Sequence, residues 1–215
     1  MDHPLAVIIA AAADGRFPAA DGGWQRMSPW RPGVEGVVSF TGHAVLAVDR
    51  ATTDEELGAL GIDGFGGAHD PRVITALAGA GAWIDSLDAL LVRRGAGGAP
   101  RLVPRPDLAI HPRADFAARI RDDLRVFGHA DHDRSAVVIL GRGVAGLCEI
   151  SVEIEPEHRG GDGAALIQDA MSLVPAGQLV LAAVAPGNAA SLRAALSAGF
   201  SPIGSMQLFS RSRSG

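Results

Sequence analysis

An α/β fold follows from the amino-acid sequence on three grounds. Leu147 to Glu155 alternates, with Ile150, Val152 and Ile154 on one face and Glu149, Ser151 and Glu153 on the other. That is a strand with one face in a core and one toward a polar space. Leu179 to Val184 is a continuous apolar run, the pattern of a strand buried on both faces. Helical stretches follow each of them, Gly163 to Leu173 and Asn188 to Ala198. The order β-β-β-α-β-α-β in the second half therefore predicts an α/β sheet whose Leu147 and Leu179 strands flank a helix crossover.

The elements read in chain order as follows. Leu5 to Ala13 is apolar but short, follows Asp2 with no basic flank, and reads as a buried strand or helix rather than a leader. Asp14 to Pro32 is rich in Gly, Pro and Asp and reads as an ordered loop pinned by Trp24 and Trp30. Val37 to Val48 is β-like, with a turn at Gly42-His43, and Thr53 to Leu60 is a short helix. Asp70-Pro71 opens a helix to about Ala78, with Asp as N-cap and Pro at the first helical position. Ala82 to Arg93 predicts a second helix, because Trp83, Leu87, Leu90 and Leu91 share one face at helical spacing. Gly95 to Pro106 concentrates Gly and Pro, which places a soft boundary near residue 105 between regions 1–105 and 106–215.

Beyond that boundary, Arg113 to Arg121 is helical, and Leu124 to Gly128 and Ala136 to Leu140 are strands. Pro156 ends the alternating strand. Asn188 caps the last helix, Gly199 stops it, and Ser205 to Phe209 closes the sheet.

Composition narrows the function. The chain has 215 residues and a formal charge of -5; all 19 basic residues are Arg. The absence of Lys removes a Schiff-base or P-loop lysine, and the absence of Tyr removes any phenolic acid or base. An acidic balance argues against a general nucleic-acid binder. No apolar run is long enough for a membrane span. A single Cys, Cys148, excludes an intramolecular disulfide and fits a reducing cytosol, so the expected location is cytoplasmic.

The stretch from Ile154 to Leu166 (IEPEHRGGDGAAL) runs strand, glycine-rich turn, helix. Such a turn leaves backbone N–H groups free at the positive end of a helix, which suits a pyrophosphate. The glycines let phosphate approach the backbone closely. Alone, this turn is equally a structural feature.

Together with the segment Asn188 to Phe200, it resembles the GCN5-related N-acetyltransferase (GNAT) superfamily. That family's phosphate loop reads Arg/Gln-x-x-Gly-x-Gly/Ala, and His158-x-x-Gly161-x-Gly163 falls in register. Its second signature is an Asn, a helix, then Gly-Phe, which Asn188 to Phe200 matches. The resemblance covers residues 106–209, and the whole chain also looks similar to actinobacterial acetyltransferase-like proteins. It implies a GNAT-like mixed sheet with flanking helices in the C-terminal half; it implies nothing for residues 1–105, which read separately as an α/β accessory region. That accessory region completes the sheet, forms a degenerate second copy, or covers the acceptor site.

The resemblance implies acetyl-CoA in the cleft where the two strands part. Its pyrophosphate would accept from the N–H groups of Arg159, Gly160, Gly161, Asp162, Gly163 and Ala164. Its pantetheine would pair near Val152 to Ile154, where one N–H would polarise the thioester carbonyl. Asn188 would contact the CoA arm. An amine, of a small molecule or a protein, would attack the thioester while a base takes its proton.

Three positions depart from the family pattern. His158 stands at the loop's opening Arg/Gln, and Asp162 adds a carboxylate near the expected phosphates. Ala195 stands where many members carry a Tyr acid, seven residues after the Asn. Ser191, one helical turn earlier on the same face, is the nearest hydroxyl. Glu149 and Glu153 are the base candidates, set against the reading that they are solvated or paired with Arg.

Cys148 reads as a small core residue. His129-Ala-Asp131-His132-Asp133 reads as a polar turn, so no metal site is assigned. Two other classes stand beside the enzyme: a non-catalytic acyl-CoA-binding or regulatory module, and a fold used for dimerisation. A homodimer is compatible with either.

Overall fold

The computed structural model describes residues 3–134, 136–154 and 163–211. It is a mixed α/β architecture made of two compact units, Met1–Leu90 with Pro202–Gly215, and Leu91–Ser201. Among the described residues no helix is long and apolar enough to cross a membrane.

The first unit starts with helix α1 (Pro4–Ala13), capped by the His3 side chain. Strand β1 (Trp24–Met27) runs parallel to β3 (His43–Ala47), and β3 forms an antiparallel hairpin with β2 (Glu35–Phe40). The hairpin turn holds Gly42 at φ 73°, a backbone that favours glycine. Strand β10 (Ser201–Phe209) pairs antiparallel with β2, from Ser205 opposite Ser39 to Phe209 opposite Glu35.

Helix α2 (Asp54–Ala59) opens with a complete capping box between Thr53 and Glu56. Helix α3 (Pro71–Ala78) begins where Asp70 accepts from the Arg72 N–H at 2.8 Å, and stops at Gly79 with φ 86°. Leu57, Ile74 and Leu77 from these helices pack on Val37, Leu46 and Phe209 to make the core.

His69 precedes α3, and burial pushes its imidazole down to about 4. An unfolded histidine titrates near 6.5. The native ring resists the proton that the unfolded ring accepts. Stability is therefore whole above pH 6.5 and falls as pH drops toward 4, by roughly 3 kcal/mol for this group. Urea midpoints at pH 7 and pH 4.5 should show that loss, and His69→Gln should reduce the difference between them. An equal pH dependence in the variant would contradict the assignment.

The second unit has strand order β4-β9-β8-β7-β6-β5. These are β4 (Asp88–Arg94), β5 (Val103–Pro104), β6 (Asp122–Gly128), β7 (Ala136–Arg142), β8 (Cys148–Ile154) and β9 (Leu179–Val184). Three helices accompany them: α4 (Pro112–Ile120), α5 (Gly163–Met171) and α6 (Ala189–Ser197). Ala114 and Ala117 of α4 pack on Val137 and Ile139 of β7. Helix α6 is capped by Asn188, whose Oδ1 accepts from the Ser191 N–H at 3.1 Å, and Gly199 at φ 85° ends it.

Two expectations change. Residues 82–93 are not a helix; Asp88–Arg94 is strand β4. Leu90, Leu91 and Val92 are consecutive and all buried, which a strand with both faces covered achieves and a one-faced helix does not. The loop at 14–32 contains strand β1. In the second unit the segment after β4 is tied down, since Gly95, Ala96 and Gly97 donate to the carbonyls of Gln178, Met171 and Val174 at 2.8, 3.0 and 2.9 Å.

Candidate functional site

Strand β8 is paired unequally on its two sides. Its antiparallel ladder with β7 runs from Cys148 to Ile154, whereas its parallel ladder with β9 covers only Cys148 opposite Val180 and Glu149 opposite Leu181. Beyond that point the two strands part. A cavity of about 450 Å³ opens beside the unpaired end, within the range of roughly 300–1,000 Å³ common for small-molecule sites.

Its walls come from four elements. Val152, Glu153 and Ile154 supply β8; Gly163, Ala164 and Ile167 supply the start of α5; Asn188, Ala190, Ser191, Arg193, Ala194 and Ser197 supply α6 and its cap; Arg113 comes from α4. Ala190, Ser191, Ala194 and Ser197 of the α6 wall are small and lie at helical spacing, which leaves space between α6 and β8. Gly163 matters for the same reason: a Cβ there would meet the Ala194 Cβ at 3.2 Å.

Among the described residues, the charges lining this cavity are Arg113, Arg193 and Glu153. Arg113 Nε donates to Glu153 Oε2 at 2.8 Å, and both side chains are part-exposed. The positive end of α5 adds to the two arginines, a combination that suits an anionic or strongly polar ligand.

The candidate residues divide clearly. Glu153, Val152, Ile154, Gly163, Ala164, Asn188 and Ser191 come together around this cavity. Arg159, Gly160, Gly161 and Asp162 lie outside the described residues, as does His158. Glu149 is elsewhere: its side chain is 2% exposed and ion-paired with Arg121, itself 5% exposed. Glu149 Oε2 also accepts from the Val144 N–H at 3.3 Å, and Arg121 Nη1 donates to Ser151 Oγ at 2.7 Å. Gly143 leaves that carboxylate its room, since a Cβ there would clash with it. The polar face of β8 is thus covered near Glu149 and open near Glu153.

Ala195 is 2% exposed and does not line the cavity. Arg113, Arg193, Ala194 and Ser197 line it without having been singled out in the sequence. The α6 residues were recoverable from the helical period counted from Asn188. Arg113 had no local signal, because its partner Glu153 is 40 positions away.

Burial pushes the Cys148 thiol up, which fits a packing role rather than a reactive one. In the polar turn after β6, Asp131 accepts from the Asp133 N–H at 3.0 Å and so stabilises the turn itself. Among the described residues, no three His, Cys, Asp or Glu side chains are grouped to hold a metal ion.

Comparison with known proteins finds no matching family model and no matching curated protein. Solved structures with a similar fold include a chain assigned to the GNAT acetyltransferase family from Novosphingobium aromaticivorans. It is 21% identical, with a TM-score of 0.41 over 62% of this chain and 69% of that one. A conserved protein of unknown function from Staphylococcus epidermidis is 13% identical, with a TM-score of 0.41 over 65% and 66%. A GCN5-related N-acetyltransferase from Kribbella flavida is 14% identical, with a TM-score of 0.38 over 67% and 65%.

Proposed function

We propose that this chain binds acetyl-CoA in the cavity beside β8 and transfers the acetyl group to an amine of a small molecule or a protein. The observation that carries the reading is the parting of β8 from β9 after two residue pairs. It opens a cavity walled by both segments that carry the family resemblance, at Gly163–Ala164 and at Asn188–Ser191.

The chain's own groups then divide the work. The pantetheine arm lies along Val152 to Ile154, and a backbone N–H of that edge donates to the thioester carbonyl, where negative charge develops. The start of α5, with Gly163 and Ala164, faces the pyrophosphate, as do the N–H groups expected from residues 159–162. Asn188 offers its amide N–H to the CoA arm, because its oxygen is committed to the helix cap.

The amine attacks the carbonyl carbon, the C–S bond breaks, and CoA leaves as a thiolate. Glu153 takes the ammonium proton, with Arg113 fixing the direction of its carboxylate. A thiol pKa of about 8.5 makes the thiolate a tolerable leaving group without a strong acid. Ser191, half-buried on the cavity wall, offers a hydroxyl to relay a proton to it.

Thiol release from acetyl-CoA over a panel of amines tests this reading. Glu153→Gln should slow release by about 100-fold while leaving the acetyl-CoA dissociation constant within about twofold. An unchanged rate would remove Glu153 as the base. The second reading, a CoA-binding module without turnover, draws on the lack of any tyrosine. Binding with no thiol release on any amine would favour it.

A further inference from the structure

We propose that Ser205 and His69 form a nucleophile–base pair in the first unit, a second site that takes an acyl group from small activated esters. It is independent of the acetyl-CoA reading, since none of its residues belongs to the cavity beside β8.

The geometry begins in the β2–β10 ladder, where Ser205 stands directly opposite Ser39. Val37 and Ser39 are two apart on β2 and share a face. Val37 packs in one cluster with Ala68, so that face looks onto the turn that carries His69. His69 Nε2 lies 3.2 Å from Ser205 Oγ. This is the hydrogen-bonded contact between hydroxyl and imidazole that activates a serine.

A histidine kept only for packing normally has both ring nitrogens satisfied. Here Nδ1 of His69 and Oγ of Ser39 are both buried and have no partner among the described residues. Stability alone does not account for a polar trio left two bonds short. Burial depresses the imidazole to about 4, so it is neutral at pH 7 and able to accept a proton, though only as a weak base. With Ser205 donating, Nε2 is the bare nitrogen and Nδ1 carries the proton. Gly204 fixes the strand beside the nucleophile: a Cβ there would clash with the Ser39 carbonyl oxygen. Ser205 is half-buried rather than sealed.

The chemistry balances as acyl transfer. Ser205 Oγ attacks the ester carbonyl carbon while its proton passes to His69 Nε2. The ester C–O bond breaks, and that proton leaves with the departing alcohol or phenol. Water then releases the acyl group as a carboxylic acid and restores Ser205. The same imidazole serves both steps, but the phenol of an activated ester leaves more readily than the serine alkoxide, so acylation outruns the water step and acyl-serine accumulates.

The test uses p-nitrophenyl acetate with the full chain and no CoA. The expected result is a burst of about one nitrophenol per chain, followed by slow turnover. Peptide mass analysis should then place one acetyl group on Ser205. Ser205→Ala should abolish the burst, and His69→Gln should slow it by about 100-fold. Thermal melts confirm that both variants are folded. If the Ser205→Ala variant fails to fold, the mapped acetyl position in the unaltered chain decides. Acetyl found elsewhere, or a burst unchanged in His69→Gln, overturns the proposal.

Discussion

Gly163→Glu is expected to weaken acetyl-CoA binding by about 100-fold. The backbone at 163 faces Ala194, and an added Cβ already sits at 3.2 Å from its methyl group. A longer side chain turns into the cavity and places a carboxylate where the pyrophosphate is proposed to lie. Two like charges about 5 Å apart, at an effective dielectric of about 20, repel by about 3 kcal/mol. Each 1.4 kcal/mol is about tenfold in affinity. Gly163→Ala serves as the companion, with only a small steric change and a loss of a few fold. Calorimetric titration of both variants checks the pair. Unchanged affinity in Gly163→Glu would show that phosphate does not approach the start of α5.

Glu149→Ala is expected to destabilise the fold strongly, by about 3–5 kcal/mol. The carboxylate and its Arg121 partner are both nearly inaccessible to solvent. Removing the anion leaves a guanidinium buried without its counter-charge. For a chain of this size that is a fall of about 10 °C in melting temperature. Replacing both partners by Leu should recover much of the loss, because two apolar residues avoid the desolvation cost. Scanning calorimetry of the single and double variants measures this. The result also bears on catalysis. A Glu149 variant that melts like the parent but loses its rate would make Glu149, not Glu153, the base.

How much of this was readable in the sequence depended on whether the signal was local. The alternation at Leu147–Glu155, the apolar run at Leu179–Val184 and the cap and stop at Asn188 and Gly199 are local, and the structure has β8, β9 and α6 there. Residues 82–93 failed for the opposite reason. Leu87, Leu90 and Leu91 have helical spacing, but Leu90, Leu91 and Val92 are all buried in a strand. Intrinsic periodicity yields when tertiary neighbours cover both faces.

The same limit applies to the site. Alternation put Glu149 and Glu153 on one polar face, yet only Glu153 lines the cavity. What separates them is the Arg each one meets, Arg121 at 28 positions and Arg113 at 40 positions in sequence. No window of local sequence contains either pair. The tyrosine-less position resolves similarly. Ala195 faces inward, so the small wall of α6 that meets the cavity is Ala190, Ser191, Ala194 and Ser197 instead.

Direct calorimetric titration of the unaltered chain with acetyl-CoA tests the central claim. A saturable isotherm with one acetyl-CoA per chain, lost in Gly163→Glu, is the expected result. No heat of binding at about hundredfold above a micromolar dissociation constant would contradict it. That outcome would remove both the transferase and the CoA-binding module as readings of this cavity.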